Sequence, residues 1–217
     1  MYQKLINSFY ENRNYEKANG MKAYMKNQFD FLGIQKVQRS FLQKEFINDA
    51  KKTKVIDWNF VFKLWNLPER EFQYLAMDYI VLFKDGFLKE DIGYIKKLII
   101  EKSWWDTVDL LSSKMVGALC TKYPELMDDM LEWSECDNMW LKRSSILFQL
   151  KYKEKTNDEL LEMIILNNNE DNEFFIAKAI GWILREYSKT NPKWVKKFIE
   201  DNNLQKLSIR EGSKYIG

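Results

Sequence analysis

The chain has 217 residues, of which 46% are hydrophobic and 15% aromatic, enough to fill a packed core and too apolar for a disordered segment. With 34 basic against 32 acidic residues the net charge is only +2, so a nucleic-acid site has to come from local clustering of lysine and arginine. There is no histidine, which excludes Ser-His and Cys-His nucleophilic machinery and the usual zinc sites, and leaves carboxylates, lysines, tyrosines or aromatic rings to carry any chemistry.

Met1–Tyr10 mixes polar and apolar residues, unlike a signal peptide, and no segment approaches the roughly 20 apolar residues that span a bilayer. A soluble, cytoplasmic protein is expected. Apolar residues recur at helical spacing almost everywhere and never alternate with period two for long, which predicts an all-α fold of about a dozen helices joined by short loops. Arg70–Leu82 reads as an amphipathic helix, bounded by the breaks Asn66-Leu67-Pro68-Glu69 and Lys84-Asp85-Gly86.

Ser103–Leu111 opens the next strongly patterned segment. Ser103 is the expected N-cap, with Asp106 three residues on in a capping-box role. Trp104, Val108, Leu111 and Met115 form the core stripe, while Trp105, Asp109, Ser112 and Val116 share a second face about 100° away. A tryptophan and a carboxylate on that face read either as a rim pair in solvent or as part of a groove. Cys120 follows in an apolar run and reads as a small buried hydrophobe; with Cys136 it makes too few cysteines for a disulfide framework.

Tyr123-Pro124-Glu125 marks another break, after which Met139–Leu150 begins a helix with Lys142 and Arg143 in its first turns. Cations there are mildly unfavourable with the helix dipole and call for another partner. The polar break at 167–172 leads into Phe174–Tyr187, where Gly181 implies close approach of some neighbour beside Trp182. Trp182 reads equally as core filler at a tight crossing or as a groove residue. Thr190-Asn191-Pro192 starts a further helix.

Trp105, Arg143 and Trp182 lie 38 and 39 residues apart, near the roughly 40-residue unit of HEAT-type helix pairs. The spacing favours a superhelical solenoid of HEAT-like antiparallel helix pairs over a compact helical bundle, a single domain over 1–217 with equivalent helices lining one groove. That groove would hold two indoles, a carboxylate and an arginine. Indole faces attract cations by roughly 0.5–2 kcal/mol. A carboxylate can stabilise the oxocarbenium character that develops when a glycosidic bond breaks. No metal or cofactor is called for.

At these residues the sequence resembles the AlkD-type family of DNA alkylation-repair glycosylases, which are HEAT-like repeat proteins. The resemblance covers nearly the whole chain and is most specific at 21–27, 31–35, 67–73, 102–109, 146–152 and 174–192. It implies a glycosylase that excises positively charged N3- and N7-alkylpurines such as 3-methyladenine and 7-methylguanine from double-stranded DNA, as a monomer acting at the nucleoid. It further implies that Asp109 is the essential carboxylate, Trp105 and Trp182 the aromatic pair facing the lesion, Arg143 a backbone-contacting arginine and Tyr24 a residue near the same site. Relatives often carry two arginines where this chain has Lys142-Arg143. Lys142 and Lys178, with Lys22 and Lys26, fit phosphate contacts, although each alone also reads as a solvated charge. Two other classes compete: a non-catalytic paralogue that binds branched or distorted DNA, and a protein adaptor whose groove holds a peptide helix.

Overall fold

The computed structural model describes residues 2–53 and 55–216. It is all-α as expected: among the described residues there is no strand, only one isolated bridge between Asp30 and Glu69. The chain read above as one domain packs as two compact units, Met1–Phe87 and Leu88–Gly217. No helix among the described residues is long and apolar enough to cross a membrane.

In the first unit, α1 (Tyr2–Glu11), α2 (Tyr15–Tyr24), α3 (Lys36–Leu42), α4 (Lys44–Ala50), α5 (Trp58–Asn66) and α6 (Arg70–Ile80) enclose a core that includes Phe9, Phe60, Leu64, Trp65 and Phe72. The helix expected over Arg70–Leu82 stops at Ile80 and tightens into a 3₁₀ segment, Val81–Gly86. Two of the family-like blocks dock on each other here. The fully buried Glu71 carboxylate accepts the backbone N–H groups of Leu32, Gly33 and Ile34 at 2.9, 2.8 and 3.0 Å. Burial raises the Glu71 carboxyl above its usual value, and these three donors work against that shift. Arg70, also fully buried, donates its backbone N–H to the Asp30 carbonyl and sets its guanidinium 3.8 Å from the centre of the Phe29 ring.

The second unit contains α7 (Asp91–Ile100), α8 (Trp105–Leu110), α9 (Gly117–Lys122), α10 (Leu126–Glu135), α11 (Met139–Leu147), α12 (Asp158–Asn167), α13 (Phe174–Tyr187), α14 (Pro192–Asp201) and α15 (Lys206–Gly212). Helices pack on near neighbours in the chain (α10 on α11 and α12, α11 on α13, α13 on α15), the pattern of a repeat array. Trp105, Arg143 and Trp182 fall on α8, α11 and α13, the second helices of three consecutive pairs. They stand first, fifth and ninth in those helices, whose starts at Trp105, Met139 and Phe174 are 34 and 35 residues apart, so the structural repeat is shorter than the 38- and 39-residue spacing. Cys120 is fully buried, and burial pushes its thiol up to about 12, so it serves as a small hydrophobe.

The neighbour implied by Gly181 is α15. A Cβ at Gly181 would stand 2.5 Å from the Glu211 Cβ and 3.1 Å from the Ser208 carbonyl oxygen. Glu211 gathers the cations around that crossing: Lys214 at 2.6 Å, Arg185 at 2.8 Å and Lys178 at 3.0 Å. The hydrogen bonds from Lys214 and Lys178 lower its carboxyl from 4.5 to about 2. A depressed carboxyl stabilises the fold above its unfolded value and loses that contribution as pH falls through the folded one. Glu211→Gln is therefore expected to melt at lower temperature than wild type at pH 7. The gap should shrink between pH 4.5 and pH 2, as followed by circular dichroism.

Candidate functional site

The site is built on α8, α11 and α13. The segment 105–122 runs on as one helical stretch whose middle, Leu111–Val116, widens into a π-helical turn. Such turns mark functional sites often enough to be worth reading. This one changes the sequence expectation. Past Asp109 the 3.6-residue register is lost, so Ser112 and Val116, expected on the Trp105–Asp109 face, are fully buried. Ser112 and Ser113 turn their hydroxyls back to donate to the Val108 and Asp109 carbonyls at 2.6 and 2.7 Å. Val108, Leu111 and Met115 are fully buried, each worth about 1.5–3 kcal/mol of transfer energy.

The helix start also differs from the expected capping box. Trp104 is the cap residue, with extended backbone (φ −162°, ψ 160°), and makes no side-chain cap. Ser103 instead donates its hydroxyl to the Ile99 carbonyl at 2.6 Å, tying the turn to α7. Trp104 is half-buried in an aromatic cluster with Trp140 and Phe175, ring centres 5.2 to 5.8 Å apart. Only the other three residues of the expected stripe form the core.

At the centre is a bidentate ion pair. Arg143 donates Nε–H to one Asp109 oxygen at 2.7 Å and Nη2–H to the other at 2.9 Å. Its Nη1–H goes to the Phe175 carbonyl at the start of α13. The Arg143 side chain is 5% exposed and that of Asp109 15%. The cation expected to meet a DNA backbone is thus committed to protein acceptors. This is the partner that an arginine early in a helix calls for. Burial raises the Asp109 carboxyl above its usual value; Arg143 pulls it down and Asp106 adds a smaller upward push. Each Asp109 oxygen accepts one N–H from Arg143 and keeps a further lone pair.

Trp105 sits one turn before Asp109 on α8, half-buried. Trp182 stands half-buried on the one open stripe of α13, between Lys178 and Arg185, and shares no hydrogen bond or ring contact with Asp109 or Arg143. Two of the four lysines expected at phosphates are paired within the second unit: Lys142 with Asp171 at 2.8 Å and Lys178 with Glu211 at 3.0 Å. Lys22 likewise pairs with Asp30 at 2.7 Å. Tyr24 belongs to the first unit; it is 69% exposed at the end of α2, beside a hollow lined by Met21, Phe31 and Tyr74. Sequence reasoning missed Phe175 and Asp171. A main-chain acceptor leaves no residue-type signature, and an aspartate in a polar loop reads as solvated.

Comparison with known proteins shows the family and the fold. Residues 5–216 match the profile of the family described as "DNA alkylation repair enzyme". The chain belongs to the DNA alkylation repair enzyme family. A solved structure described as a "predicted DNA alkylation repair enzyme from Enterococcus faecalis" is 35% identical, with a TM-score of 0.88 over 95% of this chain and 97% of that one. Two Streptococcus mutans structures share the fold at lower identity. AlkD2 is 18% identical (TM-score 0.55, 80% of this chain and 99% of that one), and smu.31 is 19% identical (TM-score 0.63, 91% and 100%). No curated protein matches the chain.

Proposed function

We propose that this member of the DNA alkylation repair enzyme family is a monofunctional glycosylase acting as a monomer on double-stranded DNA, releasing cationic N3- and N7-alkylpurines. The observation that carries the reading is the half-buried Asp109, held bidentately by a buried arginine one helical turn from an indole, in a chain without histidine. An N3- or N7-alkylpurine is already positively charged. When its glycosidic bond breaks, the electron pair leaves with the base, which departs neutral, and C1′ gains oxocarbenium character. Water then adds its oxygen to C1′ and gives up a proton. An ionised Asp109 stabilises that cation electrostatically or takes the water's proton. The indoles of Trp105 and Trp182 attract the cationic base, by roughly 0.5–2 kcal/mol each. Tyr24 is proposed as a DNA contact, on its exposure. Membership of the family supports alkylated DNA as the substrate.

Arg143 has a revised part in this reading: it holds Asp109 ionised and oriented, rather than chiefly gripping phosphate. Removing one partner of a buried pair leaves the other charge uncompensated, at a cost of about 3–5 kcal/mol. Arg143→Met should then leave the Asp109 carboxyl higher than in wild type, because burial is no longer opposed. Excision should fall by about 100-fold at neutral pH, its acid limb should move to higher pH, and duplex affinity should fall less than the rate. A pH–rate profile under single turnover, with affinity measured alongside, checks this. The reading as a whole is tested by incubating purified protein with N7-methylated duplex DNA and assaying free 7-methylguanine. Binding without release would favour the non-catalytic paralogue.

A further inference from the structure

The polar break between α12 and α13 is tied to almost every element around it. Asn168, fully buried, donates its amide to the Ser134 and Ile164 carbonyls at 3.0 and 2.9 Å. Gln205, the cap residue of α15, donates to the carbonyls of Asn169 and Asp171 at 3.1 and 2.5 Å. The Asp171 carboxylate accepts Lys142 Nζ of α11 at 2.8 Å on one oxygen and the Glu173 backbone N–H at 3.0 Å on the other. Neither side chain of that pair is freely solvated, at 22% exposure for Lys142 and 16% for Asp171. Glu173 caps α13, and two residues later the Phe175 carbonyl takes the third hydrogen bond of Arg143. Lys142 and Arg143 are adjacent on α11. Two neighbouring residues of α11 therefore grip the start of α13, one through a side chain and one through the main chain.

We propose that Asp171, paired with Lys142, is a positioning residue for Asp109: it fixes the first turn of α13 against α11 so that Phe175 and Arg143 together hold the carboxylate. The proposal rests on the glycosylase reading for its consequence in catalysis, although its geometric claim stands apart from turnover. Displacements of about 1 Å at a reacting group can cost around 100-fold in rate, so a joint of this kind has leverage without touching substrate. Ion pairs between exposed groups have little such leverage.

The test uses the full chain and two variants, Asp171→Ala and Asp171→Asn, with Lys142→Arg as the conservative control. The titration midpoint of the Asp109 carboxyl is read by carbon NMR, and base release from N7-methylated duplex by single turnover. The charged groups acting on Asp109 are Arg143 from α11 and Asp106 on its own helix. Removing the negative charge of Asp171 by itself would lower the Asp109 midpoint. Loosening Arg143 raises it, so the sign discriminates. The expected result is a raised midpoint and a roughly 10- to 100-fold slower release in Asp171→Ala, a smaller change of the same sign in Asp171→Asn, and a smaller one still in Lys142→Arg, which keeps the charge of the pair. A lowered or unmoved midpoint in folded Asp171→Ala or Asp171→Asn overturns the proposal. A raised midpoint in Asp171→Ala, with a wild type that releases no base, would uphold the positioning role and sink the glycosylase reading instead.

Discussion

Gly33→Ala is expected to unfold the first unit. Gly33 has φ of +83°, a region that residues with a side chain rarely enter. A Cβ there would lie 2.0 Å from the Asn14 carbonyl oxygen and 2.8 Å from the Ala18 backbone nitrogen. Both obstacles are backbone, so neither can rotate away. The substitution also pulls on the Leu32–Ile34 amides that satisfy Glu71, and a buried carboxylate left short of donors adds its own penalty. Strain, overlap and lost hydrogen bonds together place the loss on the order of 4–5 kcal/mol or more, the range reached only by mutations that break a buried arrangement. Chemical denaturation would measure it. A variant within about 1 kcal/mol of wild type would mean that the loop is not tied to Glu71 in this way.

That glycine also shows how far the sequence could be read. The blocks 31–35 and 67–73 stand out as family-like, yet nothing in one-dimensional spacing says that they meet. The Glu71 carboxylate on three consecutive amides is a tertiary fact. The all-α class was legible because the 3.6-residue period is strong, and the repeat in outline because Trp105, Arg143 and Trp182 fall on α8, α11 and α13, though at different positions along those helices. Gly181 announced a close neighbour, though not that α15 supplies it. What failed was register and partnership. The π turn at Leu111–Val116 shifts Ser112 and Val116 out of the face that straight-helix geometry assigns them. Lys142, Arg143 and Lys178 read as cations available to phosphate, while each has a carboxylate across a helix boundary, 29 to 34 residues away in the chain. The acid partners were visible as residues and invisible as neighbours.

Asp109→Asn is the substitution with the largest expected effect on chemistry. Asparagine keeps the volume, and its carbonyl can accept one guanidinium N–H from Arg143. Its amide then meets the second guanidinium donor, so one of the two bonds at 2.7 and 2.9 Å becomes a donor–donor clash. The variant should be moderately less stable but folded. The negative charge that would face the developing oxocarbenium centre is gone, and losing one pre-organised electrostatic group of this kind costs about 100- to 1000-fold in rate. DNA affinity should change little, because binding to a duplex is dominated by phosphate contacts made by cations. Loss of either indole should be milder, since roughly 1–2 kcal/mol corresponds to about 5- to 30-fold.

The central claim is that a half-buried carboxylate, held by Arg143, supplies the charge that drives loss of a cationic base. The most direct measurement is the single-turnover rate of 7-methylguanine release from N7-methylated duplex DNA, for wild type and Asp109→Asn side by side at saturating protein. Measurable release by wild type and a rate lower by about two orders of magnitude or more in the variant, with both proteins bound to the DNA, is the predicted result. Equal rates in the two proteins would contradict it and remove Asp109 from the chemistry.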